Sequence, residues 1–388
     1  MTGKAPITRG LDGVSRVLIV ASGHSYSTID CYAGLVAGFR EAGYQTFTYD
    51  LHTRIDAAQD WLKFARDKYG KPDDAPITEE DIIYQAGVRT IVKALEVNAD
   101  AVIVVCGLLF HPMLLILLER MGMPVFTFGT ESPYDDERFA VSAKLSTVAS
   151  VNDPASVAPV RALVEAGGEL TPVIHMPLGY NPAVHYPGFA DKVEAEFGEA
   201  APAHDVVFVG NVYPSRERWI GAMDWSGIDL GLYGVFETVG ADSPLLSYKR
   251  GGIIRNVATT AIYQRSRVVL NLFRSEQFGP DWQIIGTRTG TAVNPRLVEA
   301  AAAGACIVSE WRPEVEEMFK DAIPLARTSA ECEAHIRRLL SDPAERAERA
   351  ERARACVAGH SYTDRARAIV AELDAEVARQ RQAAPGLT

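Results

Sequence analysis

Cysteine is scarce in this chain. There are five in 388 residues (Cys31, Cys106, Cys306, Cys332 and Cys356), far apart and with no C-x-x-C pair. That excludes a disulfide framework or a zinc knuckle and fits a reducing cytoplasm. The eight histidines show no ligand spacing and H-E-x-x-H is missing, so no metal site is expected. There is no G-x-x-x-x-G-K-[ST], which argues against a P-loop kinase. The first βα turn, ASGHSYST (21–28), holds Gly23 alone where a dinucleotide fingerprint needs three glycines, and Asp50 at the end of the second strand is weak evidence without them. No segment reads as a signal peptide: the first 15 residues are polar, and the apolar run 17–21 starts a strand. One apolar stretch, 101–118, is long enough to span a bilayer on count. His111-Pro112 breaks it, with β-branched residues before and leucines after, so it reads as a buried strand, a loop and a buried helix.

What is present is an ordinary globular balance, 47% apolar and 23% charged, which excludes disorder as the main state. A net charge of −11 makes the chain a poor non-specific nucleic-acid binder. Strands are expected at 16–21, 45–50, 101–106, 124–128 and 171–176, alternating with helices, which implies a parallel sheet covered on both faces. A polar excursion, 51–80, interrupts the series, and the apolar face from Ile82 to Leu95 reads as one helix. The proline-rich segment 177–204 reads as a linker. The pattern then restarts with strands at 205–210, 229–234, 268–273 and 305–309, and AERAERAERARA (344–355) reads as a solvated charged helix. The fold class expected is α/β, two doubly wound Rossmann-like domains facing across a cleft, with ligands beyond the carboxyl ends of the strands. The boundaries expected are 1–185, an acceptor-side domain, 186–362, and a C-terminal helix, 363–388, crossing back to the first domain.

The strongest local signal is GTRTGTAVNPRLVEAAAAGACIVSE (286–310). Asn294 is suited to cap a helix that begins at Pro295, and a Gly/Thr-rich loop precedes it, so backbone N–H groups at its start are available to an anion. Arg296 and Glu299, three apart, share one face, as an arginine for phosphate and a carboxylate for ribose hydroxyls would. A surface ion pair on an ordinary helix is the bland alternative. From Lys249 to Arg296 the chain carries eight basic residues (Lys249, Arg250, Arg255, Arg265, Arg267, Arg274, Arg288 and Arg296) against Glu276 and Asp281, a +6 window in an acidic protein.

The second half resembles the GT-B glycosyltransferases, most closely the CgeB-like group related to family 4. The resemblance lies in FVGNVYPSRERW (208–219), LYG (232–234), SRVVLNLFR (266–274), NPRLVEAAAAGACIVSE (294–310) and GHSYTDRA (359–366). The first half is similar more loosely, through TESPYDDERF (130–139), SVNDPASVAPVR (150–161) and MPLGYNPAVHYP (176–187), so that roughly 130–370 is covered. The resemblance implies that Gly210 and Asn211 approach the donor phosphates with Arg216 or Arg218 nearby, that Tyr233 and Gly234 lie near the base, that 292–296 holds the diphosphate and that Glu299 binds the ribose. Gly23, Arg274, Thr291, Asn294 and Arg296 complete the donor-binding candidates. Many family 4 enzymes carry a second glutamate eight residues before the ribose glutamate. Here that position is Thr291; the CgeB-like group often lacks that glutamate, and the sugar contact and the stereochemical outcome are left open.

In the first half, Glu131, Asp135 and Asp136 follow strand 124–128, at a carboxyl end, where a carboxylate could act as base toward an acceptor hydroxyl. His111 follows strand 101–106 and is a further catalytic candidate, although a histidine beside proline is more often structural. The expectation is a cytoplasmic, metal-independent transferase of the hexosyl- or pentosyl-transferring class. It would have no resident cofactor, with a nucleoside-diphosphate sugar as co-substrate and an acceptor still to be identified. Its rivals are a sugar-nucleotide 2-epimerase of the same fold, a non-catalytic nucleotide-binding relative, and a transferase acting on modified nucleic-acid bases.

Overall fold

The computed structural model describes residues 13–23, 27–69, 77–279 and 283–383. The chain divides into two compact units, Met1–Pro177 with Tyr362–Thr388, and Leu178–Ser361.

The first unit is built on six parallel strands: β1 (Arg16–Val20), β2 (Gln45–Tyr49), β3 (Ala101–Val105), β4 (Val125–Phe128), β5 (Val148–Val151) and β6 (Val173–His175). They lie in the order β2-β1-β3-β4-β5-β6, with Leu18 opposite both Phe47 and Val102, and Ile103 opposite Phe126. Val102, Ile103, Val104 and Val105 are wholly buried, as a strand covered on both faces requires. The covering helices are α1 (Ser27–Glu41), α2 (Leu51–Tyr69), α3 (Glu79–Gly87), α4 (Arg89–Glu96), α5 (Pro112–Arg120), α6 (Asp136–Ala143) and α7 (Val157–Ala166). The apolar stretch 101–118 divides into β3, a turn and α5, with Pro112 in the first turn of the helix. No helix among the described residues is long and apolar enough to cross a membrane.

The second unit repeats the plan with α8 (Phe189–Phe197), β7 (Val206–Val209), α9 (Pro214–Gly221), β8 (Leu230–Tyr233), β9 (Lys249–Gly251), α10 (Asn256–Arg265), β10 (Val268–Asn271), β11 (Glu276–Phe278), β12 (Ile284–Thr287), α11 (Pro295–Ala302), β13 (Ile307–Glu310), α12 (Pro313–Phe319), β14 (Leu325–Ala326), α13 (Ser329–Ser341) and α14 (Pro343–Cys356). Its parallel sheet runs β14-β13-β10-β7-β8-β9, and β11 and β12 form a separate antiparallel pair. The last helix, α15 (Tyr362–Ala383), belongs to the first unit, where it packs along α1. Thr363 Oγ1 donates to Glu41 at 2.6 Å, and Arg365 Nε to the Pro177 carbonyl at 2.7 Å.

Several elements depart from the sequence reading. The linker 177–204 contains α8, bounded by Gly188 and Gly198 and fixed by a 2.7 Å bond from Ala190 N–H to Gln264 Oε1. Its prolines lie outside the helix, so they do not break it. Within 51–80, α2 forms around Leu51 and Ile55, and the exposure of most of its remaining residues removes the apolar stripe that would have marked it. The helix read through 82–95 is two, α3 and α4, meeting at Val88.

In each unit the strand order reverses once, between β1 and β3 and between β7 and β10. Open α/β sheets bind ligands beyond the carboxyl ends of the strands at such points. Gly23 follows β1 in the first unit. Gly210 and Asn211 follow β7, which pairs in parallel with β10, in the second.

Candidate functional site

Gly210 and Gly234 follow the adjacent strands β7 and β8 with φ of 152° and 144°. A Cβ on Gly234 would stand 2.2 Å from the Gly210 carbonyl oxygen, and a Cβ on Gly210 would stand 2.4 Å from Arg296 Nη2. Two backbone turns and a guanidinium thus meet in a space that only glycine leaves open. The Arg296 guanidinium also lies over the Phe208 ring, 5.3 Å from its centroid. Arg216 approaches the same ring at 5.6 Å and donates from Nη1 to the Asn211 carbonyl at 2.8 Å. Two cations are therefore held by one aromatic ring at the carboxyl end of β7.

Helix α11 delivers Arg296 and Glu299 to this place. Asn294 caps it, accepting from Leu297 N–H at 2.9 Å, and donates to Asn271 Oδ1 at 2.8 Å; Asn271 in turn donates to Ser309 Oγ at 2.9 Å. Glu314 accepts from Val293 N–H at 2.7 Å, and its own N–H donates to the Thr291 carbonyl at 3.2 Å. Val293 and Leu297 N–H are engaged and Pro295 has none, and the Arg296 guanidinium adds a full positive charge at this helix start.

Glu299 is buried at 8% exposure and accepts from Asn256 Nδ2 at 3.3 Å. Burial pushes its carboxyl up to about 7, against the opposing pull of Asn256 and the Arg296 charge. This is not the exposed ion pair of the bland alternative. Tyr263, on α10, is also buried. Burial carries its hydroxyl well above the usual tyrosine range, and the Arg296 charge counters part of that.

The remaining candidates have other surroundings. The Tyr233 hydroxyl bonds His204 Nε2 at 2.9 Å, and His204 Nδ1 bonds Asp229 at 2.8 Å, so the side chain is buried and paired. Burial raises the Asp229 carboxyl, but His204 and Arg250 prevail and hold it below the usual carboxylate range. The Arg274 guanidinium lies 6.0 Å from the Phe278 ring centroid. The basic window is not a uniform cationic surface: Arg250 pairs with Asp229 (3.4 Å), Arg265 with Asp191 (3.0 Å) and Glu194, and Arg267 with Asp205 (2.9 Å). These acids lie outside the window in sequence, which is why it looked more positive than it is. Glu276, counted there as an opposing charge, is buried and caps α9 through Ser215, while Asp281 lies outside the described residues.

In the first unit, both ring nitrogens of His111 are used: Nδ1 accepts from Met113 N–H at 3.1 Å, capping α5, and Nε2 meets Glu80 at 3.2 Å. The Glu131 carbonyl accepts from Tyr134 N–H (2.8 Å), Asp135 pairs with Arg138 at 3.3 Å, and the buried Asp136 accepts from Ser156 Oγ at 2.7 Å. The charges of Glu131 and Asp135 also act on Cys106, at the end of β3, whose thiol is pushed up to about 12 chiefly by burial. The Gly23 carbonyl lies 3.4 Å from His52 Nδ1. Gly23 belongs to the first unit and the other donor-binding candidates to the second.

Sequence reasoning passed over Phe208, Asn256, Tyr263, Asn271 and Glu314. Asn271 did leave a signal, as a polar residue within the buried run VVLNLF. Asn256 and Tyr263 lie on a helix whose polar, threonine-rich sequence concealed it.

Residues 200–371 match the model of a family described as "Glycosyl transferase-like". No curated protein matches the chain. Among solved structures, the chain is similar to sucrose-phosphate synthase from Thermosynechococcus elongatus, at 12% identity and a TM-score of 0.57, covering 95% of this chain and 100% of that one. It is also similar to a structure titled trehalose-6-phosphate from E. coli, bound with UDP-2-fluoro glucose, at 12% identity and a TM-score of 0.51, covering 95% and 99%. The two parallel six-stranded sheets and these likenesses give the chain the GT-B glycosyltransferase fold, with a glycosyl transferase-like sequence over 200–371.

Proposed function

We propose that this chain is a glycosyltransferase that takes its sugar from a nucleoside-diphosphate sugar held by the second unit. The observation that carries the reading is the placement of Arg296 and Glu299 on one face of α11, the first over Phe208 beside Gly210 and the second buried against Asn256. Arg296 and Arg216 supply fixed positive charge for a diphosphate, and Glu299 supplies an acceptor for ribose hydroxyls. In this reading the guanidinium pair stabilises the departing diphosphate without a divalent metal, and turnover persists in EDTA. Glu131 is the carboxylate we assign as base toward the acceptor hydroxyl. Thr291, where many family 4 enzymes have glutamate, supports our reading of the chain as a relative of the CgeB-like group.

Calorimetric titration tests the donor site. Arg296→Ala should weaken a nucleoside diphosphate by about tenfold to a hundredfold, for the loss of a charge-assisted contact of roughly 1.5–3 kcal/mol, and weaken the matching nucleoside far less. Equal diphosphate affinity in the variant and the parent protein, across uridine, guanosine and adenosine diphosphates, would overturn the assignment.

A further inference from the structure

The antiparallel pair β11–β12 is inserted between β10 and α11 and belongs to neither parallel sheet. In a strand, residues two apart share a face, and in β11 these are Glu276 and Phe278. Both meet the start of α9. Glu276 Oε1 accepts from Ser215 N–H at 2.6 Å, and the Phe278 ring packs on that of Tyr213, with centroids 5.1 Å apart and planes inclined at 51°. Arg216 is the next residue of that helix.

Tyr213 in turn touches the groups that would face a diphosphate. Its hydroxyl accepts from Asn211 Nδ2 at 3.0 Å, and its ring centroid lies 5.5 Å from the Arg216 guanidinium carbon. Arg216, 7% exposed, therefore stands within cation–π range of two rings, Phe208 and Tyr213, while its Nη1 donates to the Asn211 carbonyl. Phe208 is wholly buried within β7 and is fixed by the sheet. Tyr213 lies on the segment between β7 and α9, outside any strand, and the ring that supports it comes from the hairpin.

We propose that Tyr213 and Phe278 are positioning residues for Arg216, and that the β11–β12 hairpin is through them a working part of the donor site. The proposal rests on the donor site assigned above. Neither ring has to touch the ligand: Phe278 holds Tyr213, and Tyr213 holds the guanidinium over the turn that follows β7. A long arginine side chain has many rotamers, and fixing one before binding leaves less freedom to be lost when a phosphate arrives.

The test is calorimetric binding of a nucleoside and its diphosphate to the full chain. The variants are Phe278→Ala, Phe278→Tyr, Tyr213→Leu and Tyr213→Phe, together with Arg216→Ala alone and combined with Phe278→Ala. Phe278→Ala and Tyr213→Leu should each weaken the diphosphate by about three- to tenfold, the size that one aromatic contact supports, and leave the nucleoside unchanged. Phe278→Tyr and Tyr213→Phe keep the rings and should restore most of that affinity. In the Arg216→Ala background, Phe278→Ala should change diphosphate affinity by less than about twofold, because the group it acts through is already gone. A loss that persists in full there acts through another group, such as Arg274, whose guanidinium lies 6.0 Å from the Phe278 ring centroid, and overturns the proposal. Parent-like diphosphate affinity in both Phe278→Ala and Tyr213→Leu also overturns it and leaves the donor site standing. If the parent protein binds no nucleoside diphosphate, the donor site itself falls and the positioning roles with it. Thermal unfolding identifies misfolded variants, and Phe278→Leu replaces Phe278→Ala if the latter has lost its transition.

Discussion

Arg296 and Gly210 occupy one another's space: the guanidinium Nη2 lies 2.4 Å from where a Cβ on residue 210 would be. The two residues are 86 positions apart, on different elements, and the contact exists because residue 210 has no side chain. The turn after β7 is thus a measure of how closely the cation is seated against the backbone.

Gly210→Ala should therefore act on the arginine before it acts on the fold. The methyl group displaces the guanidinium from the Phe208 ring, and the φ of 152° adds local strain of about 1–3 kcal/mol. Diphosphate affinity should fall by at least about tenfold, equivalent to roughly 1.4 kcal/mol. Adding Arg296→Ala to the variant should cost little further affinity, since both changes remove the same contact. Fully additive losses in calorimetry would show that the two positions act separately.

Glu299 gives a pH dependence with a definite sign. Its folded pKa of about 7 lies above that of an unfolded glutamate, so the folded state prefers the protonated form. The associated stability is complete below the unfolded pKa and is lost as pH rises through 7. Glu299→Gln removes the ionisation, so the variant should gain on the order of 2 kcal/mol over the parent at pH 8 and differ little at pH 5. The same variant should bind donor nucleotide more weakly at pH 8. Thermal unfolding across pH checks the first claim, and a variant less stable than the parent at pH 8 would refute it.

How much of this was readable beforehand follows from where each signal resides. The continuous runs RVLIV and AVIVV announce strands buried on both faces, and Asn294-Pro295 announces a helix start, because these depend on neighbours in sequence. The pairing of Arg296 and Glu299 on one face follows from helical spacing alone. What sequence spacing could not supply was environment. For Glu299, spacing left a ribose-binding carboxylate and an exposed ion pair both open, and its burial against Asn256 could not be read from it. His111 reads as a catalytic candidate until Glu80, 31 positions away, takes its second nitrogen. Arg250, Arg265 and Arg267 read as free charge until Asp229, Asp191 and Asp205 meet them from outside the window. Long-range polar partners decide each case, and a local pattern does not encode them.

Glu276 offers a last and sharper test of that point. It opens the small antiparallel pair β11–β12, yet it is 2% exposed and serves another element. Its Oε1 accepts from Ser215 N–H at 2.6 Å, and its Oε2 from Ser215 Oγ at 2.8 Å and Ser275 N–H at 3.2 Å. A carboxylate is thereby fixed at the N-terminus of α9, where the helix dipole favours it. Burial alone would raise its pKa, but the bonds from Ser215 and Ser275 prevail and hold it below the usual glutamate range. Its contribution is present above the unfolded pKa and is lost as pH falls through the folded value. Glu276→Ala leaves buried donors unsatisfied and should destabilise the protein by about 2–4 kcal/mol at pH 7. Glu276→Gln, which keeps the shape and loses the charge, should cost less, about 1–2 kcal/mol. Both deficits should shrink as pH falls below the usual glutamate range, where the unfolded parent chain takes up the proton that the folded state resists. Because α9 also carries Arg216, the alanine variant should bind nucleoside diphosphate more weakly than the glutamine variant. Chemical denaturation at pH 7 and pH 3.5 measures the first pair of effects. A deficit that stays constant between those pH values would mean that the carboxylate charge contributes nothing to holding α9.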